Sequence, residues 1–388
     1  MKLKKGRYRY NGFCKNWKLV KLGNIVEINP KSFLPRTFKY VDLESVVGTE
    51  LISYREEFRE SAPSRAQRVA QKGDVFYQTV RPYQKNNYLF DLNENDYVFS
   101  TGYAQLRPKV DSAFLLARLQ EEGFVNKVIE RCSGTSYPAI NSKDLSRISI
   151  TIPEDFDEQS SIGSLFRTLD DLLASYKDNL ANYQSLKASM LSKMFPKVGQ
   201  TVPEIRLDGF EGEWENKILS EVTNITMGQS PKSENYTDNP NDYILVQGNA
   251  DIKDKQVVPR LWTTEVTKMA EIGDIILTVR APVGDIGKTD FNVVIGRGVA
   301  AIKGNDFIFY TLEKMKMTGF WNRFSTGSTF ESISSNDIKE AIIQLPTLEE
   351  QQAIGAYFSN LDNLIAAHQD KISQLEILKK KLLQDMFI

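Results

Sequence analysis

Two stretches of the 388-residue sequence decide the fold, EQSSIGSLFRTLDDLL (158–173) and EQQAIGAYFSNLDNLI (350–365). They are two versions of one pattern, and each begins with Glu-Gln and continues through Ile-Gly to Leu-Asp. Apolar residues recur behind them at steps of three and four, to residue 194 in the first copy and 386 in the second. This spacing predicts two long helices, each with one apolar seam that must be buried.

We expect the two seams to bury each other, because they match in length and phase. A pseudo-twofold relation between the halves would make the helix pair antiparallel, with the remaining parts of the chain at its two ends. Alternatively, each helix folds separately onto its own half. The residues expected at helix–helix or partner contacts are Ile162, Leu165, Leu169, Leu172 and Leu186 in the first helix, and Ile354, Leu361, Leu364, Leu375 and Leu378 in the second.

Three further pairs of segments occur in the same order in both halves, so the chain reads as a duplication. Residues 9–17 match 206–214, residues 73–81 match 273–280, and residues 134–153 match 327–346. In this alignment Thr-Val-Arg at 79–81 corresponds to Thr-Val-Arg at 278–280. The matches divide the chain into a mixed block (1–153), a long helix with linker (154–200), a second mixed block (201–346) and a second long helix (347–388).

The mixed blocks predict an α+β fold. Short runs rich in β-branched and aromatic residues alternate with Gly, Pro, Asn and Asp clusters, which is typical of strands and turns. Helices are expected over 113–129 and 307–320 from their 3–4 spacing. The complete expectation is two mixed α/β domains separated by two long helices that pair as an antiparallel coiled coil, with a pseudo-twofold internal repeat.

Composition excludes several classes of function. Two distant cysteines, Cys14 and Cys132, form neither a disulfide framework nor a closed zinc site, and a cytoplasmic location is expected. Apolar runs are too short for a membrane span, and residues 1–10 lack the apolar core of a secretory signal. The single histidine, His368, aligns with Tyr176 in the seam, where it is expected to set register rather than to catalyse.

Two segments resemble nucleotide-binding motifs but lack features that those motifs require. The segment 284–289 ends like a phosphate-binding loop, but Pro282 stands where the first glycine is needed. Gly296-Arg297-Gly298 resembles part of a dinucleotide fingerprint, yet no helix pattern follows it, so a strand turn is expected. No catalytic constellation and no metal site are predicted in this chain.

The loops of the mixed blocks carry the residue types that bind nucleic acid. Residues 1–153 hold 25 basic and 16 acidic side chains, which favours a polyanionic partner, whereas residues 196–346 hold 16 and 21. Arginine can grip guanine bidentately, amides can read adenine, lysine neutralises phosphate, and hydroxyl-rich turns suit phosphate contacts. The candidates are Gln78, Arg81, Tyr83, Lys85, Ser136 and Tyr137 in the first block and Gln229, Gln247, Asn249, Arg280, Ser328 and Thr329 in the second. Taken singly, each loop could also be an ordinary polar surface loop.

With these motifs, the sequence resembles the specificity (S) subunits of Type I restriction–modification systems over essentially its whole length. The most specific carriers are the Glu-Gln…Ile-Gly…Leu-Asp starts of the long helices, with the Gly-Phe…Trp, Gly-Asp…Val-Arg and Ser/Thr-Gly-Ser/Thr segments in support. The first Gly-Phe…Trp segment departs from the second, because it lacks the acidic residues of Glu211-Gly-Glu213.

The resemblance implies that each mixed block is a target recognition domain that reads one half of a split double-stranded DNA sequence. It implies that the helices set the gap between half-sites and dock two methyltransferase (modification) subunits. Those subunits would hold S-adenosylmethionine for adenine N6 methylation, and restriction subunits would use ATP and Mg. This chain would have no cofactor and no catalytic site. Because the second block is net acidic, its DNA face is expected to be a local basic strip or to depend on partners.

Two other functions stay open at this point. A duplicated coiled-coil adapter would join two partners without touching DNA, and its assembly would be insensitive to salt. A lone enzyme with an unrecognised site would show turnover as a purified single chain.

Overall fold

The structure, a computed structural model, describes residues 13, 16–134, 136–324 and 332–387. They form two units that share one plan. Unit 1 combines Met1–Asp178 with His368–Ile388, and unit 2 is Asn179–Ala367. Each unit contains sheets, short helices and one part of each long helix. Each long helix is therefore shared between the two units.

Unit 1 contains twelve strands among its described residues. Its strands are β1 (Trp17–Lys21), β2 (Val26–Ile28), β3 (Thr37–Val41), β4 (Val46–Val47), β5 (Glu50–Leu51), β6 (Arg55–Phe58), β7 (Ala66–Val69), β8 (Val75–Gln78), β9 (Tyr88–Leu89), β10 (Tyr97–Ser100), β11 (Tyr103–Pro108) and β12 (Ser149–Pro153). Its helices are α1 (Leu22–Ile25), α2 (Ser112–Gln120), α3 (Glu122–Ile129), α4 (Ser142–Ser146) and the first part of α5 (Phe156–Lys193).

Unit 2 largely repeats this order, with thirteen strands among its described residues and α7 (Asp306–Met317) where unit 1 has α2 and α3. Its strands are β13 (Glu215–Ile218), β14 (Ile225–Met227), β15 (Tyr236–Thr237), β16 (Tyr243–Val246), β17 (Ile252–Lys253), β18 (Gln256–Val257), β19 (Trp262–Thr263), β20 (Met269–Ala270), β21 (Ile275–Thr278), β22 (Ile286–Lys288), β23 (Val293–Ile295), β24 (Val299–Ile302) and β25 (Ile342–Leu345). Its helices are α6 (Leu219–Val222), α7 (Asp306–Met317), α8 (Ser335–Lys339), the second part of α5 and the first part of α9 (Leu348–Met386).

Both units fold around a fully buried strand, β8 in unit 1 and β21 in unit 2. In unit 1 the sheets run in the order β2-β11-β8-β9 and β6-β3-β10-β7, and β1 pairs with β12. In unit 2 they run β14-β24-β21-β22-β18-β17 and β15-β19-β16-β23-β20, and β13 pairs with β25. The β10–β3 and β16–β23 pairs are parallel. The expected α+β fold is confirmed, and so is the duplication.

The Glu-Gln pair that opens each long helix has a structural role. Glu350 is fully buried and accepts two hydrogen bonds from the Arg206 guanidinium at 2.8 and 2.7 Å. The amide of Gln351 donates to the carbonyl of Pro346 at 3.0 Å, and Gln159 donates likewise to Pro153 at 2.9 Å. These bonds fasten the start of each helix to the strand before it.

The Ile-Gly step lets each long helix approach a neighbouring helix closely. A Cβ at Gly163 would lie 2.6 Å from the backbone nitrogen of Phe114, at the start of α2. At Gly355 it would lie 2.7 Å from the Cβ of Asp306, at the start of α7. Since real side chains do not approach so closely, only glycine allows this packing.

The two long helices pair antiparallel in both units, as the seams predict. In unit 1, Lys379 of α9 forms an ion pair with Asp170 of α5. In unit 2, Lys187 of α5 reaches Asp362 of α9 at 2.5 Å. These two pairs are copies of each other under the 192-residue repeat. The Tyr176 and His368 rings, also repeat equivalents, lie 5.3 Å apart, so the His is a packing residue of the pair.

Phe387, which directly follows α9, completes the core of unit 1. The Phe387 ring lies 5.8 Å from Phe114, 5.9 Å from Phe166 and 6.1 Å from Trp17. Phe195, its repeat equivalent just after α5, packs against Phe307 and Trp214 of unit 2 at 5.4 and 5.9 Å. Each unit is thus closed by an aromatic residue from the end of a long helix.

Part of the predicted seam is not buried in the structure. Ile162, Leu169, Ile354, Leu361 and Leu375 are buried, and Leu165 is half-buried against the same core. However, Leu172 is 42% exposed whereas Leu173 is only 6% exposed. The buried stripe also includes Phe166 and Phe358, because each helix packs on the sheets and helices of its unit as well as on the other long helix. The predicted seam residues that prove exposed are Leu172, Leu186, Leu364 and Leu378.

The predicted helix 113–129 is two helices. The chain breaks at Glu121, whose backbone is extended and whose carboxylate accepts hydrogen bonds from the backbone of Gly123 and Phe124. This side chain caps α3, and such capping competes with continuation of α2. The predicted helix 307–320 is α7, which ends at Met317.

Candidate nucleic-acid interface

The loop that follows β8 is organised by the buried Gln78. Its backbone nitrogen donates to the Asn87 side chain at 2.8 Å, and its side-chain amide donates to Gln84 at 2.8 Å. Its side-chain oxygen accepts from the backbone of Asn86 at 3.3 Å. In this arrangement Gln78 positions the loop 79–87. The predicted contact of its side chain with a base would require these side-chain hydrogen bonds to break.

Arg81 sits at the start of that loop in a fixed conformation. Its backbone is left-handed (φ +54°), and its nitrogen donates to the carbonyl of Pro138 at 2.8 Å. The guanidinium carbon lies 4.4 Å from the centre of the Tyr137 ring. The two loops that the sequence nominated separately, 78–88 and 133–140, therefore meet at this cation–π contact.

The surroundings of Arg81 are exposed and polar. Tyr83 is 51% exposed and Tyr137 is 63% exposed, and Ser136 beside it is also exposed. Lys85 is half-buried, and its ammonium lies 2.6 Å from Glu122, so part of its charge is already neutralised. This tip combines a held guanidinium, two accessible aromatic rings and a hydroxyl, which suits contact with base edges and phosphates.

The corresponding loop of unit 2 follows β21 and is built differently. Thr278 replaces Gln78 at the strand end, and its hydroxyl donates to the carbonyl of Pro282 at 2.7 Å and accepts from the backbone of Asp285 at 2.8 Å. A short polar side chain thus performs the anchoring that an amide performs in unit 1. Arg280 is exposed in this loop.

The structure corrects the alignment of the two arginines. Gln78 pairs with Tyr103 in unit 1 as Thr278 pairs with Val299 in unit 2, and the next bridges join Val80 to Ala139 and Arg280 to Ser332. Arg280 therefore occupies the position of Val80 rather than that of Arg81. The Thr-Val-Arg match between the two sequences is therefore shifted by one residue relative to the alignment that the strand pairing gives.

A second polar tip of unit 2 lies beside Arg280. The backbone nitrogen of Val279 donates to the carbonyl of Gly298 at 2.9 Å, which brings the β23–β24 turn alongside. Arg297, at the tip of this turn, is exposed, and its backbone nitrogen donates to the Ser230 hydroxyl at 3.1 Å. The expected strand turn at 296–298 is confirmed.

The predicted amides of unit 2 gather around this turn. A Cβ at Gly298 would lie 2.0 Å from the carbonyl oxygen of Gln247, so a glycine is required for the two segments to cross. The backbone nitrogen of Gln229 donates to Ile295 at 2.8 Å, just before the turn. Gln229 and Asn249 are exposed, whereas the side-chain nitrogen of Gln247 is buried and makes no hydrogen bond within the described residues.

Some candidate residues lie elsewhere or were not predicted. Ser328 and Thr329 fall outside the described residues. Sequence reasoning passed over Arg297, whose signal was an arginine between two glycines at a strand turn. It also missed Phe33, which is 97% exposed in the loop between Pro30 and Pro35. Such an exposed aromatic beside Lys31 is the kind of side chain that stacks on bases.

Two further kinds of feature are absent from the described residues. No group of three or more His, Cys, Asp or Glu side chains there could hold a metal ion. None of the helices in the described ranges is long and apolar enough to cross a membrane.

Comparison with known proteins gives consistent matches. The family model "Type I restriction modification DNA specificity domain" matches residues 14–183 and 211–377. The putative type I restriction enzyme MjaX specificity subunit of Methanocaldococcus jannaschii is 29% identical over 281 residues, which is 70% of this chain and 65% of that protein. The chain thus spans just under two thirds of that relative's length.

Solved structures agree with the fold. A chain from a study of complex assembly and conformational transition of the type I R-M system is 28% identical, with a TM-score of 0.56, and the match covers 97% of this chain and 99% of that one. The S subunit of a Type-I restriction-modification system from M. genitalium has a TM-score of 0.67 at 15% identity, covering 99% of both chains, and shows the fold alone.

Proposed function

This chain belongs to the family of Type I restriction–modification DNA specificity proteins, and we propose that it is the DNA-recognition subunit of such a complex. Each unit reads one half of a bipartite double-stranded DNA target. The long helices set the gap between the half-sites and dock two modification subunits. The subunit acts in the cytoplasm.

The observation that carries this proposal is the repeated placement of polar tips. In both units the loop after the fully buried strand projects an accessible arginine, or holds one against an aromatic ring, and a second loop packs beside it. Two separate tips of similar chemistry on one chain fit a target read in two halves. An enzyme would instead need catalytic groups gathered at one site.

Unit 1 is prepared for direct readout by Arg81. A guanidinium can donate two parallel hydrogen bonds to guanine, and this contact discriminates by about 1–3 kcal/mol. Because Tyr137 and the backbone bond to Pro138 hold Arg81, less side-chain freedom is lost on binding. Tyr83 and Tyr137 offer exposed rings for contacts with bases or sugars, and Ser136 offers a hydroxyl to phosphate.

Unit 2 relies on a smaller basic strip with amides. Arg280 and Arg297 lie on adjoining segments, and Gln229 and Asn249 are exposed nearby. Amide side chains can bond adenine bidentately in the major groove. This tip supplies local positive charge although the unit as a whole is acidic, and Ser328 and Thr329 stay predictions.

The exposed leucines of the long helices support docking of two modification subunits. Unit 1 exposes Leu172 and Leu378, and unit 2 exposes their repeat equivalents Leu364 and Leu186. Large apolar side chains exposed at equivalent positions in both halves suit two copies of one partner. We assign S-adenosylmethionine and the methyl transfer to those partners, and ATP and Mg to restriction subunits, with no catalytic step in this chain.

A methylation map tests the proposal. The chain is expressed with the modification subunit encoded beside it in a host without DNA methylation, and N6-methyladenine is mapped across the host genome. A split motif with a constant gap is the expected result. If a soluble complex of both proteins leaves the genome unmethylated, DNA recognition by this chain is contradicted.

The salt dependence of DNA binding distinguishes DNA recognition from the adapter function. DNA affinity of the assembled complex should fall steeply between about 50 and 200 mM salt, since each phosphate contact releases counterions. A complex that assembles normally but shows no salt-dependent DNA binding would favour the adapter.

A further inference from the structure

Unit 2 contains a network of charges between its long helices and α7. The Lys187 ammonium lies 2.5 Å from Asp362 and 3.0 Å from Glu313, and Lys255 lies 2.5 Å from Glu313. The Tyr310 hydroxyl donates to Asp362 at 2.9 Å. Burial raises the pKa of Tyr310, so the phenol stays protonated and keeps this bond. A tyrosine ring and a lysine from the hairpin β17–β18 thus fill the space beside the Lys–Asp pair.

Unit 1 keeps the Lys–Asp pair but lacks the residues that fill this space. Phe114 of α2 corresponds to Phe307 of α7, because both pack against the tryptophan of their own unit and follow the close helix approach at Gly163 or Gly355. Counting from these phenylalanines, Tyr310 corresponds to Ala117 and Glu313 to Gln120.

The hairpin lysine is missing as well. The turn between β4 and β5 is Gly48-Thr49, whereas the turn between β17 and β18 is Asp254-Lys255. Thr49 lines the same space as Gln120 and Asp170 but is too short to carry a charge across it. All three filling groups of unit 2, a phenol, a carboxylate and an ammonium, are therefore absent from unit 1.

The result is an open cavity of about 220 Å³, which we call the Ala117 pocket. Its lining includes Thr49, Ala117, Gln120, Phe166, Asp170 and Lys379. The floor is apolar, since Ala117 and Phe166 are buried core residues. An apolar cavity of about 150 Å³ accommodates benzene, so this pocket has room for an aromatic ring.

We propose that the Ala117 pocket receives an aromatic side chain of the modification subunit together with a neighbouring lysine or arginine. The molecule's own second half is the template, because unit 2 fills the equivalent space with a phenol and an ammonium. Exposed carboxylates of Glu50 and Asp171 line the unit 1 pocket and form no ion pair within the described part of the chain, so they complement an incoming cation.

The modification subunit is the partner that the position favours, and this step rests on the proposed function. The lining residues Asp171 and Lys379 directly adjoin Leu172 and Leu378, the leucines that unit 1 exposes. The pocket thus lies beside the same turns of the two long helices that carry the exposed leucines of unit 1. Since Tyr310 and Lys255 occupy the equivalent space in unit 2, the two modification subunits are held by different contacts.

The direct test closes the pocket with the residues of unit 2. The triple variant Thr49→Lys, Ala117→Tyr, Gln120→Glu is prepared in the full chain, and binding of the purified modification subunit is followed by titration calorimetry and native mass spectrometry. We expect one subunit to bind as in the wild type and the other at least tenfold more weakly, with an unchanged or higher melting temperature. A folded variant that binds both subunits normally would overturn the proposal.

A surface variant covers the case in which the triple variant does not fold. Asp171→Lys reverses an exposed charge of the pocket, and Glu154→Lys makes the same change at an exposed position of unit 1 outside its lining. Asp171→Lys should weaken one binding event at least threefold, and Glu154→Lys should not. Equal effects of the two variants would overturn the proposal, whereas a wild-type chain that binds no modification subunit would contradict the proposed function itself.

Discussion

Unit 1 and unit 2 share one plan of strands and helices, and two of their differences are the loop tips and the space beside the Lys–Asp pair. Unit 1 holds Arg81 against Tyr137 and leaves the Ala117 pocket open. Unit 2 presents Arg297 on a glycine turn and fills the equivalent space with Tyr310 and Lys255. The Glu-Gln and Ile-Gly residues that both halves repeat hold the long helices in place, whereas the loop tips and the residues beside the Lys–Asp pair differ. Duplication has therefore conserved the scaffold and left the contacts free to diverge.

The largest expected difference between the units concerns the lysine of the Lys–Asp pair. Lys187→Ala removes the ammonium that pairs with the carboxylates of Asp362 and Glu313 in a largely buried site. The substitution should therefore lower the free energy of unfolding by about 3 kcal/mol. Lys379→Ala removes the equivalent, less enclosed pair and should cost about 1 kcal/mol or less. Urea unfolding followed by tryptophan fluorescence measures both, since Trp17 belongs to unit 1 and the other three tryptophans to unit 2. Equal losses would mean that the two networks are energetically alike.

Substitution of the arginine at each tip should affect recognition of only one half-site. Arg81→Ala removes a bidentate donor from unit 1 and should reduce methylation about 10–100-fold, with relaxed sequence preference in one half of the target. Arg297→Ala should do the same for the other half. Methylation maps of the two variants give the measurement, and an effect of either variant on both halves would contradict separate readout.

The equivalent leucines of the two units should each contribute to the binding of one modification subunit. Leu172→Glu and Leu364→Glu place a charge on an exposed apolar position, so unfolding should change by no more than about 0.5 kcal/mol. Each substitution should weaken the binding of one of the two modification subunits about tenfold, because the carboxylate must be desolvated at the interface. Leu173→Glu is the matched control, since its buried position predicts loss of folding instead. Normal assembly of both surface variants would exclude these leucines from docking.

The smallest expected effect belongs to Lys85. Its partner Glu122 already neutralises part of its charge, so Lys85→Ala should weaken DNA binding only about threefold. If Lys85 contacts one phosphate, the slope of log affinity against log salt should fall in magnitude by about 1. Binding titrations at several salt concentrations measure this slope. An unchanged slope would assign Lys85 to the scaffold of the loop through Glu122.

Much of the frame could be predicted from sequence, because its signals are local and repeated. Glu-Gln, Ile-Gly and the 3–4 spacing located both helices, and the pairing followed from matched seams. The phase of the seam could not be predicted so well. Leu172 and Leu173 are both apolar neighbours, and which of them is buried depends on packing against the sheets and α2, a contact distant in sequence.

The candidate site was predicted in its loops and less well in its residues. Arg81 and Tyr137 were both nominated, yet their contact joins segments that lie 56 positions apart. Gln78 was expected to face a base because amides can read adenine, but a buried amide must satisfy its hydrogen bonds and does so within its own loop. Arg297 went unnoticed because its importance comes from the neighbours that the fold brings to it.

The closure of unit 1 by Phe387 has a consequence for synthesis of the protein. The first half of the chain leaves the ribosome with Trp17 and Phe114 already made, but the Phe387 ring that covers them is translated only after all of unit 2. At about 5–20 residues per second, roughly 10–40 s pass between translation of residue 178 and that of residue 388. During this interval the core of unit 1 is incomplete, whereas unit 2 already has all of its own residues. A premature stop near residue 367 would therefore harm the earliest-made part of the protein most.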